Sequence, residues 1–301
     1  MRIAEAFSPG HLTGIFQICD EPEDPLRRGA RGAGVSIDRG VYTAVAVEEA
    51  DRPSHTIRIN GREVEAPVSD WVLRYLIARA PRPLRVLVEH RVEVPIGAGF
   101  SSSGAGALSL ALALNEALNL GLTTLEAAQV AHRAEIECQT GLGSVLACLT
   151  GGVGVTLEPG APGVGKTLRF DHSGLSVVYL HLGPISTPSI LSDPALRGRI
   201  NELGGRLVEE LRRGWSPRRF MELSRRFAEH LGLITPRLMR VLRRVDEEGL
   251  PCTMAMLGET LFSLVEEGEA ERLAGLLEEA SGRGVAIAGI DDEGARIIRS
   301  V

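Results

Sequence analysis

PIGAGFSSSGAGALSLALALN, Pro95 to Asn115, sets a loop of glycine and serine immediately before a run of alanine and leucine. The residues ahead of it, LRVLVEHRVEV, alternate β-branched and polar side chains as a half-buried strand does. Strand, tight loop and helix in that order give a helix N-terminus whose free N–H groups and dipole favour an anion. Gly97 and Gly99 let the backbone turn sharply and approach a ligand without Cβ interference. Ser101, Ser102 and Ser103 add hydroxyls at the helix start. Gly104, Ala105, Gly106 and Ala107 let the first turn press close to a neighbour. A helix cap alone needs only one such serine. This stretch is the candidate phosphate loop.

A rival lies further on. GAPGVGKT, Gly160 to Thr167, fits the nucleotide-binding pattern G-x-x-x-x-G-K-[ST] letter for letter. That pattern works only where a helix begins at its Lys-Thr. Here VGVTLEPG runs into the segment and LRFDHSGLSVVYLHL leaves it, and both read as strand. With Pro159, Pro162 and its glycines, the segment is expected to be a surface turn.

Outward from these loops, residues 35 to 95 are strand-like in VYTAVAVEE, HTIRINGREVEA and LRVLVEHRVEVP. A short helix, WVLRYLIARA (Trp71 to Ala80), interrupts them and is closed by Pro81 and Pro83. Residues 103–118 form a helix, and Thr123 with Glu126 makes a capping box that opens TLEAAQVAHRAEIECQ. Residues 192–248 read as charged amphipathic helices. An apolar stretch CTMAMLGETLFSLVEEG, a helix EAERLAGLLEEASG and a final strand GVAIAGID follow. The change of character suggests a second α+β domain beginning near residue 170.

The 301 residues are 44% apolar and 24% charged, with formal net charge −6, enough for one large domain or two smaller ones. That balance offers no broad basic surface, so no nucleic-acid partner is expected. The N-terminus MRIAEAFSPGHLTGIF carries Glu5 and no apolar core of signal-peptide length. The most apolar run, ALSLALALNEALNLGL, is broken by Ser109, Asn115 and Glu116 before it could span a bilayer. A soluble cytoplasmic protein with no membrane partner is expected. Cys19, Cys138, Cys148 and Cys252 are far apart and read as buried free thiols.

PIGAGFSSSGAGA resembles the second motif of the GHMP kinases, P-x-x-x-G-L-G-S-S-A-A. SPGHLTGIF (Ser8–Phe16) is similar to their first motif, and MAMLGETLF (Met254–Phe262) falls where their third belongs. RGAG at Arg31–Gly34, AHRAEIECQTGLG at Ala131–Gly143, the GG and PGAPG of 151–163, and GIDDEGAR at Gly289–Arg296 narrow the likeness to the archaeal pantoate kinase branch. The resemblance runs in order along nearly the whole chain. It implies a two-domain α+β fold, a ribosomal protein S5 domain 2-like half at residues 1–170 and a ferredoxin-like half at 171–301. ATP would lie between them with Mg²⁺, and the product of the branch is 4-phosphopantoate, a precursor of coenzyme A. The family also suggests a homodimer, and it makes GAPGVGKT a family turn.

Carried over residue by residue, the resemblance assigns ATP to Pro95, Gly97, Gly99, Phe100, Ser101, Ser102, Ser103, Gly104 and Ala105. Ser103 is the hydroxyl expected to touch Mg²⁺ or the γ-phosphate. Glu135, three residues after His132 and so on the same helix face, is the expected carboxylate for Mg²⁺. Arg31 and His132 are candidates for the carboxylate of a small hydroxy-acid substrate. His11 is expected to order its loop through hydrogen bonds. Three positions depart from the family. Ser144 stands where many relatives place a catalytic aspartate, Ala30 where the branch is expected to have serine, and Thr156 where it is expected to have a substrate-binding arginine. A loose phosphoryl-transfer transition state tolerates a missing base better than a missing anion ligand. The acceptor could therefore be another hydroxy acid or an isoprenoid alcohol, or the chain could bind nucleotide without turnover. A serine hydrolase is excluded by spacing, since no serine of the cluster sits in a G-x-S-x-G elbow.

Overall fold

The computed structural model describes residues 1–185 and 192–300. Two long strands, β1 (Arg2–Cys19) and β2 (Gly29–Glu49), run antiparallel from Arg2↔Val47 to Cys19↔Gly29 and form the spine of the first sheet. Strand signals in the sequence begin only near residue 35, because SPGHLTG and GARGAG read as loop. In the fold those glycines lie inside the ladder, and bulges at Pro9/Gly10 and Thr13/Ile15 take up the irregularity.

The sheet extends from β2 to β5 (Leu84–Val92), then to β3 (Ser54–Ile59), parallel to β5, and to β4 (Arg62–Glu63). The start of β2 also pairs with β6 (Val153–Glu158), which makes a hairpin with β7 (Lys166–Phe170). Four helices belong to this part: α1 (Pro67–Ile77), α2 (Ser102–Leu118), α3 (Thr124–Glu137) and α4 (Ser144–Thr150). Helix α1 starts before the expected Trp71 because Pro67 suits a first turn that needs no N–H. The capping box at Thr123 and Glu126 is present. Small and apolar residues surround α2 on every side, so it is buried along most of its length, between the sheet and α1 and α3.

A second sheet has the order β11 (Ala286–Ala288), β8 (Leu175–Pro184), β10 (Gly258–Glu266), β9 (Thr253–Met254). LRFDHSGLSVVYLHL is therefore two strands in different sheets, parted at Gly174 (φ +73). Helices α5 (Pro194–Arg213), α6 (Pro217–Leu231) and α7 (Pro236–Glu247) each begin with a proline behind a capping Asp193, Ser216 or Thr235. Helix α8 is Glu267–Ser281. The last strand is not GVAIAGID. It is β12 (Arg296–Ser300), which crosses back and pairs with β1.

Leu12, Ile15 and Phe16 of β1 share one apolar core with Val177 of β8 and with Leu207, Phe220 and Phe227 of α5 and α6. The two sheets are thus joined through the far half of β1. Phe16 and Phe227 meet edge to face with ring centroids 5.8 Å apart. All four cysteines are unbonded; Cys148 and Cys252 are buried, Cys19 and Cys138 only half-buried. Among the described residues no helix is long and apolar enough to cross a membrane.

Candidate active site

Between the end of β5 and the start of α2 the chain makes its tightest turn. Gly97 (φ +69) and Gly99 (φ +84) are left-handed, and a Cβ on Gly99 would stand 2.9 Å from the Met256 carbonyl oxygen. Ser101 precedes α2 with φ +55 and does not cap it. Its Oγ instead donates to the His11 carbonyl at 3.1 Å, and the His11 N–H donates to Phe100 O at 3.0 Å. The loop is thereby fastened to β1, and no side-chain cap occupies the first-turn N–H groups of α2. A helix start left in this state is suited to phosphate oxygens.

The loop walls a cavity of about 390 Å³, the order of volume that a small-molecule site requires. The facing walls are Ala30, Gly32 and Gly34 of β2, the turn Thr140–Gly143 with Ser144, and the Gly151–Gly152 pair. Thr156 of β6 and Thr167 of β7 close one side, and Ile185, Met256 and Leu257 the other. Among the described residues no arginine or lysine lines it.

Glu135 sits behind this wall, on α3, only 2% exposed. Its Oε1 accepts a hydrogen bond from Thr140 Oγ at 2.6 Å. Its Oε2 is buried without a hydrogen-bond partner. Burial pushes the carboxyl above its ordinary range, while the neighbouring hydroxyls of Thr140, Ser103 and Ser144 oppose that shift. The carboxylate fits because two neighbours lack side chains: a Cβ on Gly141 would come 2.1 Å from Oε2, and one on Gly104 3.0 Å from it. An unpartnered buried oxygen of this kind is costly unless something outside the chain completes it.

Several expected site residues meet here. Gly97, Gly99, Phe100, Ser101, Ser102 and Ser103 line the cavity, as do Ser144, Thr156 and Ala30. Phe100 contributes backbone only, since its ring is fully buried against Tyr179 at 4.9 Å between centroids. Pro95 and Ala105 do not reach the cavity, and the Ala105 N–H is already bonded to Ser101 O at 2.9 Å. Gly104 is buried beside Glu135 and makes room for it.

Two substrate candidates, Arg31 and His132, are not among the residues that line the cavity. Arg31 lies between Ala30 and Gly32 on β2, so strand alternation turns it to the other face. There its Nε donates to Leu157 O at 2.8 Å and its guanidinium pairs with Glu209 of α5. His132 is 1% exposed, and its Nε2 faces Arg28 O at 3.0 Å and Pro25 O at 3.3 Å. It fastens the turn between β1 and β2 from below, and burial keeps its pKa low.

The rival GAPGVGKT forms the tip of the β6–β7 hairpin, with no helix after it. Lys166 is exposed and pairs with Glu158 at 2.7 Å. Thr140, Gly151, Gly152 and the ring of His11 belong to the cavity and were not singled out as ligand-facing from the sequence. Thr140, five residues after Glu135, was the most findable of them, since that spacing follows a helix end.

A family model described as "GHMP kinases N terminal domain" matches residues 68–152. A pantoate kinase of Thermococcus kodakarensis is 36% identical over 283 residues, covering 92% of each chain. One of Methanocaldococcus jannaschii is 30% identical, covering 90% of this chain and 96% of the relative. A solved structure described as a phosphotransferase related to the CoA biosynthesis pathway superposes with a TM-score of 0.89 at 35% identity over 99% of both chains. Mevalonate diphosphate decarboxylase from Staphylococcus aureus shares the fold, with a TM-score of 0.74 at 15% identity. The chain belongs to the GHMP kinases and, within them, to the pantoate kinase family.

Proposed function

We propose that the chain transfers the γ-phosphoryl group of ATP to the 4-hydroxyl of pantoate, as a step toward coenzyme A. The observation that carries this reading is the Glu135 carboxylate, buried with one free oxygen beside Ser103 at the start of α2. The names of its relatives support pantoate as acceptor.

Mg²⁺ binds through one or two carboxylates and keeps phosphate oxygens in its shell. Glu135 Oε2 and the Ser103 hydroxyl fit that demand. When bound, the ion supplies positive charge against the β- and γ-phosphates. The rest is done by the chain. The first-turn N–H groups of α2 hold phosphate oxygens, and Gly97 and Gly99 let the loop backbone close over them. The apolar side chains of Ile96, Ile185 and Leu257 offer a dry wall at that end of the cavity. Ala30, Thr140, Ser144, Thr156 and Thr167 face the acceptor. Residues 1–170 would carry the nucleotide and 171–301 would close the site, with β12 returned to the first sheet.

A second reading, a different hydroxy acid or a neutral isoprenoid alcohol as acceptor, is favoured by one observation: among the described residues no arginine or lysine lines the cavity. Release of ADP from ATP and Mg²⁺, with and without pantoate, tests the choice beside a Ser103→Ala control. Pantoate-dependent release that falls on the order of 10²-fold in the control is expected. Release stimulated by another alcohol and not by pantoate would move the assignment to that acceptor.

A further inference from the structure

His11 is among the residues that line the cavity, and its backbone fastens the loop before α2. His11 stands opposite Ser36 in the β1–β2 ladder, and its Nδ1 lies 3.0 Å from Ser36 Oγ. Ser36 Oγ donates its one proton to the Ala147 carbonyl of α4, at 3.3 Å. Ser36 is then the acceptor in its pair with the ring, so Nδ1 carries the imidazole proton and Nε2 keeps its lone pair.

Nε2 makes no hydrogen bond within the described residues. It lies over Gly34, where an added Cβ would come within 2.3 Å of it. Gly34 pairs in turn with Gly154 of β6, and both line the cavity. The missing side chain at Gly34 makes room for the ring, which packs over that backbone at the edge of the cavity. Among the described residues that line the cavity, His11 is also the one with a titratable side chain. Ser144 supplies no carboxylate, and Glu135 is engaged with Thr140 and, on the proposed reading, with Mg²⁺.

We propose that His11 is the general base of the transfer, accepting the acceptor's hydroxyl proton at Nε2. The inference rests on the kinase reading above. As the O–H bond breaks, its proton passes to Nε2 and the alcohol oxygen forms a bond to the γ-phosphorus. The bond from that phosphorus to the β,γ-bridging oxygen breaks, and its electron pair leaves with ADP. The imidazolium then returns its proton to water. Burial lowers the His11 pKa to about 4, so the ring is unprotonated at neutral pH, and no charged neighbour contributes to that shift. Burial makes this a weak base, and a loose transition state asks more of positioning than of base strength.

The test compares wild type, His11→Gln and His11→Ala by steady-state ADP release with ATP, Mg²⁺ and saturating pantoate. Glutamine keeps a polar partner for Ser36. A fall in kcat of about 10²-fold or more is expected in both variants. The KM for ATP should stay within about twofold, and added imidazole should restore part of the His11→Ala rate, which a structural role would not allow. A His11→Gln kcat within about threefold of wild type overturns the base. So does a loss carried by the ATP KM that imidazole does not relieve, for that is the signature of a disordered loop. If wild type ignores pantoate but turns over another alcohol, only the acceptor assignment fails, and the same variants are read on that alcohol. A wild type that binds ATP and phosphorylates nothing overturns the base and the kinase reading together.

Discussion

A carboxylate held 2% exposed with one oxygen unpaired works against folding, whatever it does for chemistry. Because the Glu135 pKa is raised in the folded chain, its linked stability is full below the ordinary carboxylate range and declines as pH rises above it. Glu135→Gln, which removes the charge and keeps the shape, should therefore leave the melting temperature at neutral pH unchanged or higher. The same variant should lower kcat by on the order of 10²-fold, with weaker response to added Mg²⁺. Thermal melts beside Mg²⁺ titrations of activity would check both halves, and a variant that melts earlier but turns over normally would contradict them. Gly99 is constrained by geometry. Alanine there would carry a left-handed φ of +84 and press on the Met256 carbonyl. Gly99→Ala should raise the KM for ATP about tenfold, read by initial rates, because distortion of the loop moves the donors that hold phosphate.

The two glycine-rich segments that invite a nucleotide reading differ in what comes after them, a helix in one case and a strand in the other. GAPGVGKT turns a hairpin and leads into β7, so Lys166 ends in solvent beside Glu158. Lys166→Ala should leave the KM for ATP within twofold of wild type, and a tenfold rise would return the nucleotide to that segment. Helix α3 is where element and site meet, since it carries both Glu135 and His132. Its start depends on the reciprocal bonds of Thr123 and Glu126. Thr123→Ala should cost about 1 kcal/mol of stability, measured by chemical denaturation, without altering kcat. The site lies more than two turns away, at the other end of the helix.

Across the whole molecule, burial of neutral histidine sets the acid limit of the fold. His90 is 2% exposed in the first core, its Nδ1 2.7 Å from Thr43 Oγ and its Nε2 3.1 Å from Ser69 Oγ. Burial lowers its pKa to about 4, as it does that of His11. The unfolded chain binds protons below about pH 6.5 that the folded chain refuses until about pH 4. Stability is therefore full above pH 6.5 and is lost as pH falls toward 4, at about 1.4 kcal/mol per pH unit for each such group. Denaturation curves from pH 7.5 to 4.5 should show that slope, shallower by about one proton in His90→Gln. A His90→Gln profile with the same slope as wild type would mean that His90 is not buried neutral.

The strand, glycine turn and helix around Pro95 to Asn115 were legible from that stretch alone, because they are local features whose periodicity shows in order along the chain. The α+β class followed for the same reason, as did the dismissal of GAPGVGKT, which needed only its flanking strands. The first sheet's spine was not legible. The glycines and proline of SPGHLTG and GARGAG look like loop until β1 and β2 pair and the bulges absorb them. The partners of Arg31 and His132 were not legible for a related reason. A residue type suited to a carboxylate says nothing of which face it takes, and partners far along the chain, Glu209 for one and the Arg28 carbonyl for the other, claimed each. By itself the sequence determined the glycine turn and helix at Pro95 to Asn115, which local contacts between near neighbours set, and the family, which its motifs carry in order along the chain. Which side chains face the acceptor was decided only by tertiary structure, since that depends on strand register, on the glycines that leave space for a neighbour's ring or carboxylate, and on contacts more than a hundred residues apart.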